Sequence, residues 1–258
     1  KKVSNLFLKY NNISIFRCKN SFKIQLFLNE DQVSMNLLEL IEKKFKNLRL
    51  EKIKKNHDGY KKTGINSSAH SNLFFISRTK KKNNKKFGLV ISNNRVFGTG
   101  GHESTLLAIQ HIESIIKKRN FFNILDLGTG SGILSFVLRK ITFAKIVATD
   151  NDIGVFQFFK NNMKVNMINK IFFCKADGFK SKLLKKKYDL IVSNLLLNNH
   201  KNLIKQYFLH LKNNGILLIS GILISQQNEI IHYLNKFNIK LKKKLYINDW
   251  ISLIFVKR

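Results

Sequence analysis

The sequence predicts an α/β fold: a mostly parallel sheet covered by helices on both faces, preceded by a small α+β domain. From about residue 87 onward, short apolar strands alternate with helical stretches, which is the pattern of units that build parallel sheets. A glycine-rich loop separates one strand from the helix after it, the setting in which such loops bind ligands. Before residue 60, apolar and polar residues alternate in short runs typical of strands.

The larger domain, residues 87–258, has its elements in a regular order. We predict strands at 121–127, 145–150, 171–176, 188–194, 215–222, 240–247 and 250–256. We predict helices at 106–117, 133–140, 153–166 and 226–237, and one that ends at 211. A short turn joins the last two strands, so an antiparallel strand can complete the sheet.

The first part of the chain divides into two segments. Residues 1–60 are the predicted small α+β domain, with strands near 14–17 and 22–26 and a helix over 37–50. Residues 61–86 are rich in Lys, Asn, Ser and Gly and include the basic run 80–86. This composition indicates a linker or basic surface loop.

The net charge of +32 permits two interpretations. Lys, Asn, Ile and Phe are abundant throughout and proline is absent, which favours compositional drift in an AT-rich coding sequence. The alternative is a nonspecific contact with RNA or a ribosome surface. The basic residues do not form one stripe interleaved with aromatics along the sequence, so drift is the preferred interpretation.

The remaining composition limits the class of protein. Cys18 and Cys174 are far apart, which argues against a disulfide framework and fits no metal motif. No apolar stretch reaches the roughly 20 residues that span a membrane. We therefore expect a cytoplasmic monomer without a metal and without a membrane partner.

The glycine-rich loop is the segment Asp-Leu-Gly-Thr-Gly-Ser-Gly at 126–132. Gly128 and Gly130 allow a tight turn and close approach of the backbone to a ligand. A dinucleotide loop requires its third glycine at position 133, where this chain has Ile133. The observed Gly-x-Gly-x-Gly pattern, with an acid two residues before it, resembles motif I of class I methyltransferases, whose cofactor is S-adenosylmethionine.

Two acidic residues at later strand ends extend this site. Asp150 ends the next strand, where a carboxylate can accept hydrogen bonds from both ribose hydroxyls of a nucleoside. Asp177 follows the third strand, where it can contact the adenine amino group or, alternatively, cap a helix.

Four further segments, in order, make the chain resemble a known family. They are FGTGGHEST at 97–105, SNLL at 193–196, ISGIL at 219–223 and NDWISL at 248–253. Together with the glycine loop they resemble the bacterial ribosomal protein L11 methyltransferases over about residues 68–258. The FGTGGHEST stretch is the specific part, since motif I alone fits many methyltransferases.

The resemblance implies a Rossmann-like class I methyltransferase sheet that binds S-adenosylmethionine. It implies methyl transfer to lysine and N-terminal amino groups of ribosomal protein L11, the expected partner. The family's cofactor contacts fall here on Thr105, Gly128, Asp150 and Asn194. In the family, a small N-terminal α+β domain grips the substrate protein, and residues 1–60 resemble that domain only weakly.

Methyl transfer to an amine requires alignment and an unprotonated nitrogen, and it requires no metal. We predict that Asn194 is the catalytic residue, because its side-chain carbonyl can accept an N–H bond from the amine. His102 can act as a base or brace the glycine-rich segment, and bracing is the preferred interpretation.

Two other functions remain open at this point. An RNA or DNA base methyltransferase would suit the charge, but such enzymes have Asn or Asp followed by Pro-Pro and an aromatic, and here Leu195-Leu196-Leu197 follow Asn194. A catalytically inactive, ribosome-associated binding module is the second alternative. The filled cofactor positions argue against it.

Overall fold

The computed structural model describes residues 13–18, 21–26, 69–77, 86–91 and 101–258. The chain divides into a first unit, Lys1–Thr63, and a second unit, Gly64–Arg258. In the first unit, β1 (Ile13–Cys18) and β2 (Ser21–Leu26) form an antiparallel hairpin where the alternation predicted two strands. The helix predicted over 37–50 lies outside the described residues.

A small three-stranded sheet opens the second unit. It has the order β3 (Ala69–His70), β4 (Phe74–Ser77) and β5 (Phe87–Val90). Phe74 and Ile76 are buried in the core of the second unit. Part of the segment 61–86, predicted as a linker or basic loop, is therefore built into that unit, because its apolar residues pack there.

The main sheet of the second unit has seven strands. They are β6 (Asn123–Leu127), β7 (Lys145–Asp150), β8 (Ile171–Lys175), β9 (Tyr188–Asn194), β10 (Leu211–Leu223), β11 (Ile239–Ile247) and β12 (Trp250–Lys257). The helices are α1 (Glu103–Ile116), α2 (Ile133–Ile141), α3 (Ile153–Val165), α4 (Leu197–His210) and α5 (Gln227–Asn235).

The strand order is β11-β12-β10-β9-β6-β7-β8. Strands β6 to β10 pair in parallel, and β12 is antiparallel to both β10 and β11, as the short final turn predicted. The chain runs outward from β6 through β7 to β8, and then returns to β9 on the other side of β6. The order therefore reverses between β6 and β9, and ligands of such sheets bind at the carboxyl ends of the strands at this point.

Each face of the main sheet is covered by a hydrophobic core. Residues of α1 and α2, with Phe159 of α3, pack on one face together with β4 and β5. Residues of α4 and α5 pack on the other face. The predicted α/β class, with a mostly parallel sheet covered on both faces, is confirmed. Within the described residues, no helix combines the length and the apolarity that a membrane crossing needs.

Candidate functional site

The candidate site lies where β6 and β9 end, at the reversal of the strand order. The glycine loop follows β6, and its backbone is held against the neighbouring strand, because the N–H groups of Gly128 and Thr129 both donate to the Thr149 carbonyl at 2.9 Å. Gly128 and Gly132 have φ angles of 74° and 88°, a region that L side chains rarely adopt. The loop conformation therefore depends on its glycines.

Packing adds a second reason for glycine at Gly128. A Cβ atom there would lie 2.5 Å from the Leu195 side chain. Leu195 follows β9, so the end of β9 and the glycine loop are in direct contact. The two segments that the sequence placed at the site thus position one another.

Asp150, at the end of β7, joins the loop through its carboxylate. Its Oδ2 accepts from the Gly130 N–H at 2.9 Å, and its Oδ1 accepts from the Asp152 N–H at 3.1 Å. The side chain is partly exposed, and each oxygen retains a lone pair for a further donor. Asp150 is thus both a brace for the loop and a candidate acceptor for a ligand hydroxyl.

Asp126, in β6, is hydrogen-bonded to the loop and to the first turn of α2. One of its carboxylate oxygens accepts from the Thr129 hydroxyl at 2.6 Å, the Ser135 hydroxyl at 2.6 Å and the Ser135 N–H at 3.0 Å. Burial raises the pKa of Asp126 to about 6, although these hydrogen bonds favour the ionised form. The sequence identified Asp126 only as part of the motif, and the structure shows that it ties the loop to the first turn of α2.

Asn194 and Thr105 meet on the other side of the loop. Asn194 ends β9, and its Nδ2 donates to the Thr105 hydroxyl oxygen of α1 at 3.2 Å. Its Oδ1 is buried and accepts no hydrogen bond from the part of the chain that the structure describes. Thr105 itself is fully buried. The Asn194 amide is therefore held through its Nδ2, and its Oδ1 is left without a partner among the described residues.

Gly221 of β10 is packed against this amide. With φ at 82°, it brings its Cα so close that a Cβ would lie 2.8 Å from Asn194 Oδ1 and 2.5 Å from the Leu195 carbonyl oxygen. The motif ISGIL contained this glycine, but its spacing gave no signal for the contact, which depends on the pairing of β10 with β9.

Asp177 lies farther along the same edge of the sheet. It is exposed and forms an ion pair with Lys180. It lines a shallow depression of about 380 Å³ beside Asp150, together with Asn151, Lys175, Ala176, Lys180 and Ser181. The depression is large enough for a purine ring, and Asp177 is its only carboxylate.

Comparison with known proteins identifies this arrangement. The model of the family "Ribosomal protein L11 methyltransferase (PrmA)" matches residues 17–258. The chain belongs to this family.

Relatives and a solved structure agree with the assignment. A ribosomal protein L11 methyltransferase of Agrobacterium fabrum is 32% identical over 63% of this chain and 57% of its own length. One from Rhizobium meliloti is 28% identical over 87% of this chain and 80% of its own length. The crystal structure of ribosomal protein L11 methylase from Lactobacillus delbrueckii subsp. bulgaricus superposes with a TM-score of 0.66 at 26% identity, covering 73% of this chain and 97% of that one. The Rossmann-like class I methyltransferase sheet predicted from the resemblance is confirmed.

Most of the predicted site residues lie close together in the structure. The structure brings Thr105, Gly128, Gly130, Asp150 and Asn194 together around the ends of β6, β7 and β9. Asp177 stands apart from them, on the depression. Their contacts with a cofactor stay predictions. Among the residues that the structure describes, no three His, Cys, Asp or Glu side chains come together as a metal site needs.

His102 caps the first turn of α1. Its Nδ1 lies 2.8 Å from the Ser104 hydroxyl and accepts from the Ser104 N–H at 3.3 Å, and its ring packs edge-on against Trp250 at 4.5 Å. Burial lowers the pKa of His102. These contacts agree with the bracing role. The residues 97–100 that precede it in the motif lie outside the described residues.

A buried polar network behind β9 had no signal in the sequence. His200 of α4 lies with its Nδ1 2.9 Å from the Tyr207 hydroxyl and its Nε2 2.9 Å from the Ser220 carbonyl oxygen, and Tyr207 reaches Ser193 at 3.3 Å. Burial lowers the pKa of His200 to about 4, so the ring is neutral. Since a carbonyl only accepts, Nε2 carries the proton, and the single Tyr207 proton lies between two acceptors, His200 Nδ1 and Ser193 Oγ. The network holds Ser193 and Ser220, the residues that precede Asn194 and Gly221.

Proposed function

We propose that this protein transfers methyl groups from S-adenosylmethionine to lysine and N-terminal amines of ribosomal protein L11. The observation that carries the proposal is Asn194 Oδ1, a buried acceptor that has no partner among the described residues and lies where the strand order reverses. An unsatisfied buried acceptor costs about 1–3 kcal/mol, and a ligand N–H that reaches it removes this cost. The match spans 57% of the Agrobacterium relative, so the activity and the substrate are proposals for this chain.

The residues of the site fit the proposed cofactor. Asp150 offers free lone pairs to the ribose hydroxyls, and the depression that contains Asp177 suits the adenine ring. Gly130 presents its backbone to the ligand. When bound, S-adenosylmethionine supplies an activated methyl carbon with a neutral leaving group. Thr105 is buried and its hydroxyl oxygen accepts from Asn194, so we propose that it holds the amide in place. Its contact with the cofactor stays a prediction.

Asn194 orients the acceptor nitrogen in this mechanism. Its Oδ1 accepts one N–H of the amine, which aims the nitrogen lone pair away from the amide and toward the cofactor site. The Thr105 contact prevents the amide from rotating. A free lysine has a pKa of about 10.4, so on the order of one in a thousand is neutral near pH 7. Burial against the ends of the strands lowers the pKa of the amine and raises that fraction.

Substrate recognition is the less constrained part of the proposal. Residues 1–60 stay the predicted substrate-gripping domain. A ribosomal protein as substrate supports the predicted cytoplasmic location, and the monomeric state stays a prediction.

The test measures labelled methyl transfer to purified ribosomal protein L11 and to bare ribosomal RNA. We expect label on the protein only, and Asn194→Ala should lower kcat by about a hundredfold, since a misplaced nucleophile loses rate on this scale. Asn199→Ala, an exposed position on α4, is the matched control and should retain the rate.

Each alternative function has its own outcome. Label on RNA and none on protein would identify a nucleic-acid methyltransferase. Cofactor binding by calorimetry without transfer to either acceptor would identify an inactive binding module. Full activity of Asn194→Ala would remove Asn194 from the mechanism.

A further inference from the structure

Around the main sheet, the exposed carboxylates are confined to one of its two edges. Within residues 101–258, every side-chain carboxylate that is exposed or half-exposed lies at the carboxyl edge, where the candidate site is. These are Glu103, Asp150, Asp152, Asp177, Glu229 and Asp249. The carboxylates elsewhere in this range are buried, and the one at the amino edge, Asp189, is paired with Lys212.

Within residues 101–258, the exposed charged side chains at the amino edge, where the parallel strands begin, are all cations. They include Lys117, Lys118, Arg119, Lys145, Lys170 and Lys186. Lys145 and Lys170 have no acidic partner among the described residues. Compositional drift explains many lysines, but it gives no reason for the exposed carboxylates to avoid one edge altogether. The edge therefore has the electrostatic character of a polyanion-binding surface.

A groove opens on this edge because one crossover lacks a full helix. The connection from β8 to β9 contains only a short 3-10 helix, Lys182–Leu184, which leaves Phe172 52% and Leu183 63% exposed. The groove has a volume of about 550 Å³. Its lining includes three lysines, Lys145, Lys170 and Lys186, and the apolar residues Val147, Phe172 and Leu183.

Two more aromatic side chains stand on the same edge. Phe122 is 70% exposed and Phe143 is fully exposed. The Lys145 N–H donates to the Phe122 carbonyl at 2.7 Å, and Phe143 precedes Lys145 by two residues, so the backbone of both lies near this groove residue. Exposed aromatics among unpaired lysines are the features with which proteins bind single-stranded nucleic acid, through base stacking and phosphate contacts. A membrane surface would favour a contiguous apolar face, whereas Lys145, Lys170 and Lys186 line this groove together with Phe172.

We propose that this amino-edge groove binds single-stranded RNA, with phosphates on Lys145, Lys170 and Lys186 and a base stacked on Phe172. The groove lies at the opposite edge of the sheet from Asn194 and Asp150. A bound RNA strand therefore leaves the candidate site open. The proposal concerns binding and does not depend on methyl transfer.

The test uses fluorescence anisotropy of a labelled oligouridine with the full chain over a salt series. The triple variant Lys145→Gln/Lys170→Gln/Lys186→Gln should weaken binding at least tenfold. It should also reduce the slope of log affinity against log salt by about 2, since each phosphate contact on a single strand contributes about 0.7. The control triple Lys160→Gln/Lys205→Gln/Lys244→Gln removes the same charge from exposed positions on α3, α4 and β11 and should change the affinity about twofold.

The aromatic contact is tested separately. Phe172→Ala and Phe172→Leu should each weaken binding about tenfold with the salt slope unchanged, because stacking is lost and the phosphate contacts remain. Tyr246→Ala is the control, since Tyr246 is 68% exposed among lysines on the other edge strand and does not line this groove. Melting curves for all variants establish that they are folded.

Three outcomes would overturn the proposal. Equal weakening by both lysine triples would assign RNA binding to bulk charge. Stronger binding to anionic phosphatidylserine vesicles or to polyglutamate than to oligouridine, lost in the same variants, would assign the groove to another class of partner. Affinity unchanged by both Phe172 variants would remove base stacking from the site.

Discussion

Substitution of Gly221 by alanine tests whether the position of Asn194 sets the rate. The new Cβ would lie 2.5 Å from the Leu195 carbonyl oxygen and 2.8 Å from Asn194 Oδ1. Ordinary contacts begin near 3.4 Å. The amide and the adjoining peptide must therefore withdraw by roughly 0.5–1 Å, a displacement that costs on the order of a hundredfold in rate at a reacting centre.

The same substitution also affects stability. Alanine at a φ of 82° is strained, and with the contact we expect a loss of about 1–2 kcal/mol in the free energy of unfolding. A small protein tolerates a loss of this size. The variant should therefore fold, bind S-adenosylmethionine within a few-fold of the original affinity, and turn over about a hundredfold more slowly.

Initial rates of methyl transfer, cofactor titration by calorimetry and denaturant unfolding separate these effects. Gly101→Ala is the matched control, because a Cβ at Gly101 meets nothing within 4 Å. Gly221→Ala with unchanged kcat would refute the reasoning that the Asn194 amide must be held in place. Loss of cofactor binding together with the rate would show that Gly221 supports the cofactor site instead.

Three further predictions follow from the site and its pKa values. Asp150→Ala should weaken S-adenosylmethionine binding by about 1.5–3 kcal/mol in calorimetry, since it removes charge-assisted hydrogen bonds, and an unchanged dissociation constant would remove Asp150 from the site. Burial raises the pKa of Asp126 from 3.8 to about 6 and so favours the protonated form. Relative to Asp126→Asn, the free energy of unfolding should therefore fall by about 3 kcal/mol as pH rises from about 4 to 7. Parallel pH profiles of the two proteins would contradict this. Burial lowers the pKa values of His111 and His200 from 6.5 to about 4, so the stability contributed by the neutral rings is present above pH 6.5 and is lost as pH falls toward 4. Replacing His200 by Gln should reduce this loss of stability at acid pH, measured by denaturant titration. An equally steep pH profile in the variant would show that His200 does not take up the proton.

The sequence predicted the elements well where apolar periodicity and hydrogen bonding coincide. Strands β7 and β9 have the predicted bounds. Strand β6 begins at Asn123 and not at the predicted residue 121, because the N–H groups of Phe122 and Asn123 donate to the Asp189 carboxylate and not to a neighbouring strand. Strand β10 begins at Leu211, before the predicted 215, because the polar residues after Leu211 hide the strand from any count of apolar positions.

The sequence could predict those site residues that belong to local motifs at strand ends. Gly128, Asp150 and Asn194 each stand at a strand end that the pattern located, and parallel strands bring such ends to one edge. The contacts that hold them were not predictable. The packing of Gly221 against Asn194 depends on the register of β10 with β9, and the network of His200, Tyr207 and Ser193 joins residues whose spacing forms no motif.

Charge placement connects the proposed activity with the proposed RNA surface. We expect a ribosomal protein to be basic, so a chain with a net charge of +32 would repel it in most orientations. In residues 101–258 the exposed carboxylates lie around the candidate site, and Lys145 and Lys170, which have no acidic partner, lie at the opposite edge. The least repulsive approach for a basic protein is therefore toward Asn194, while an RNA strand is attracted to the other edge. The same separation lets both partners bind at once, because the sheet holds their sites apart.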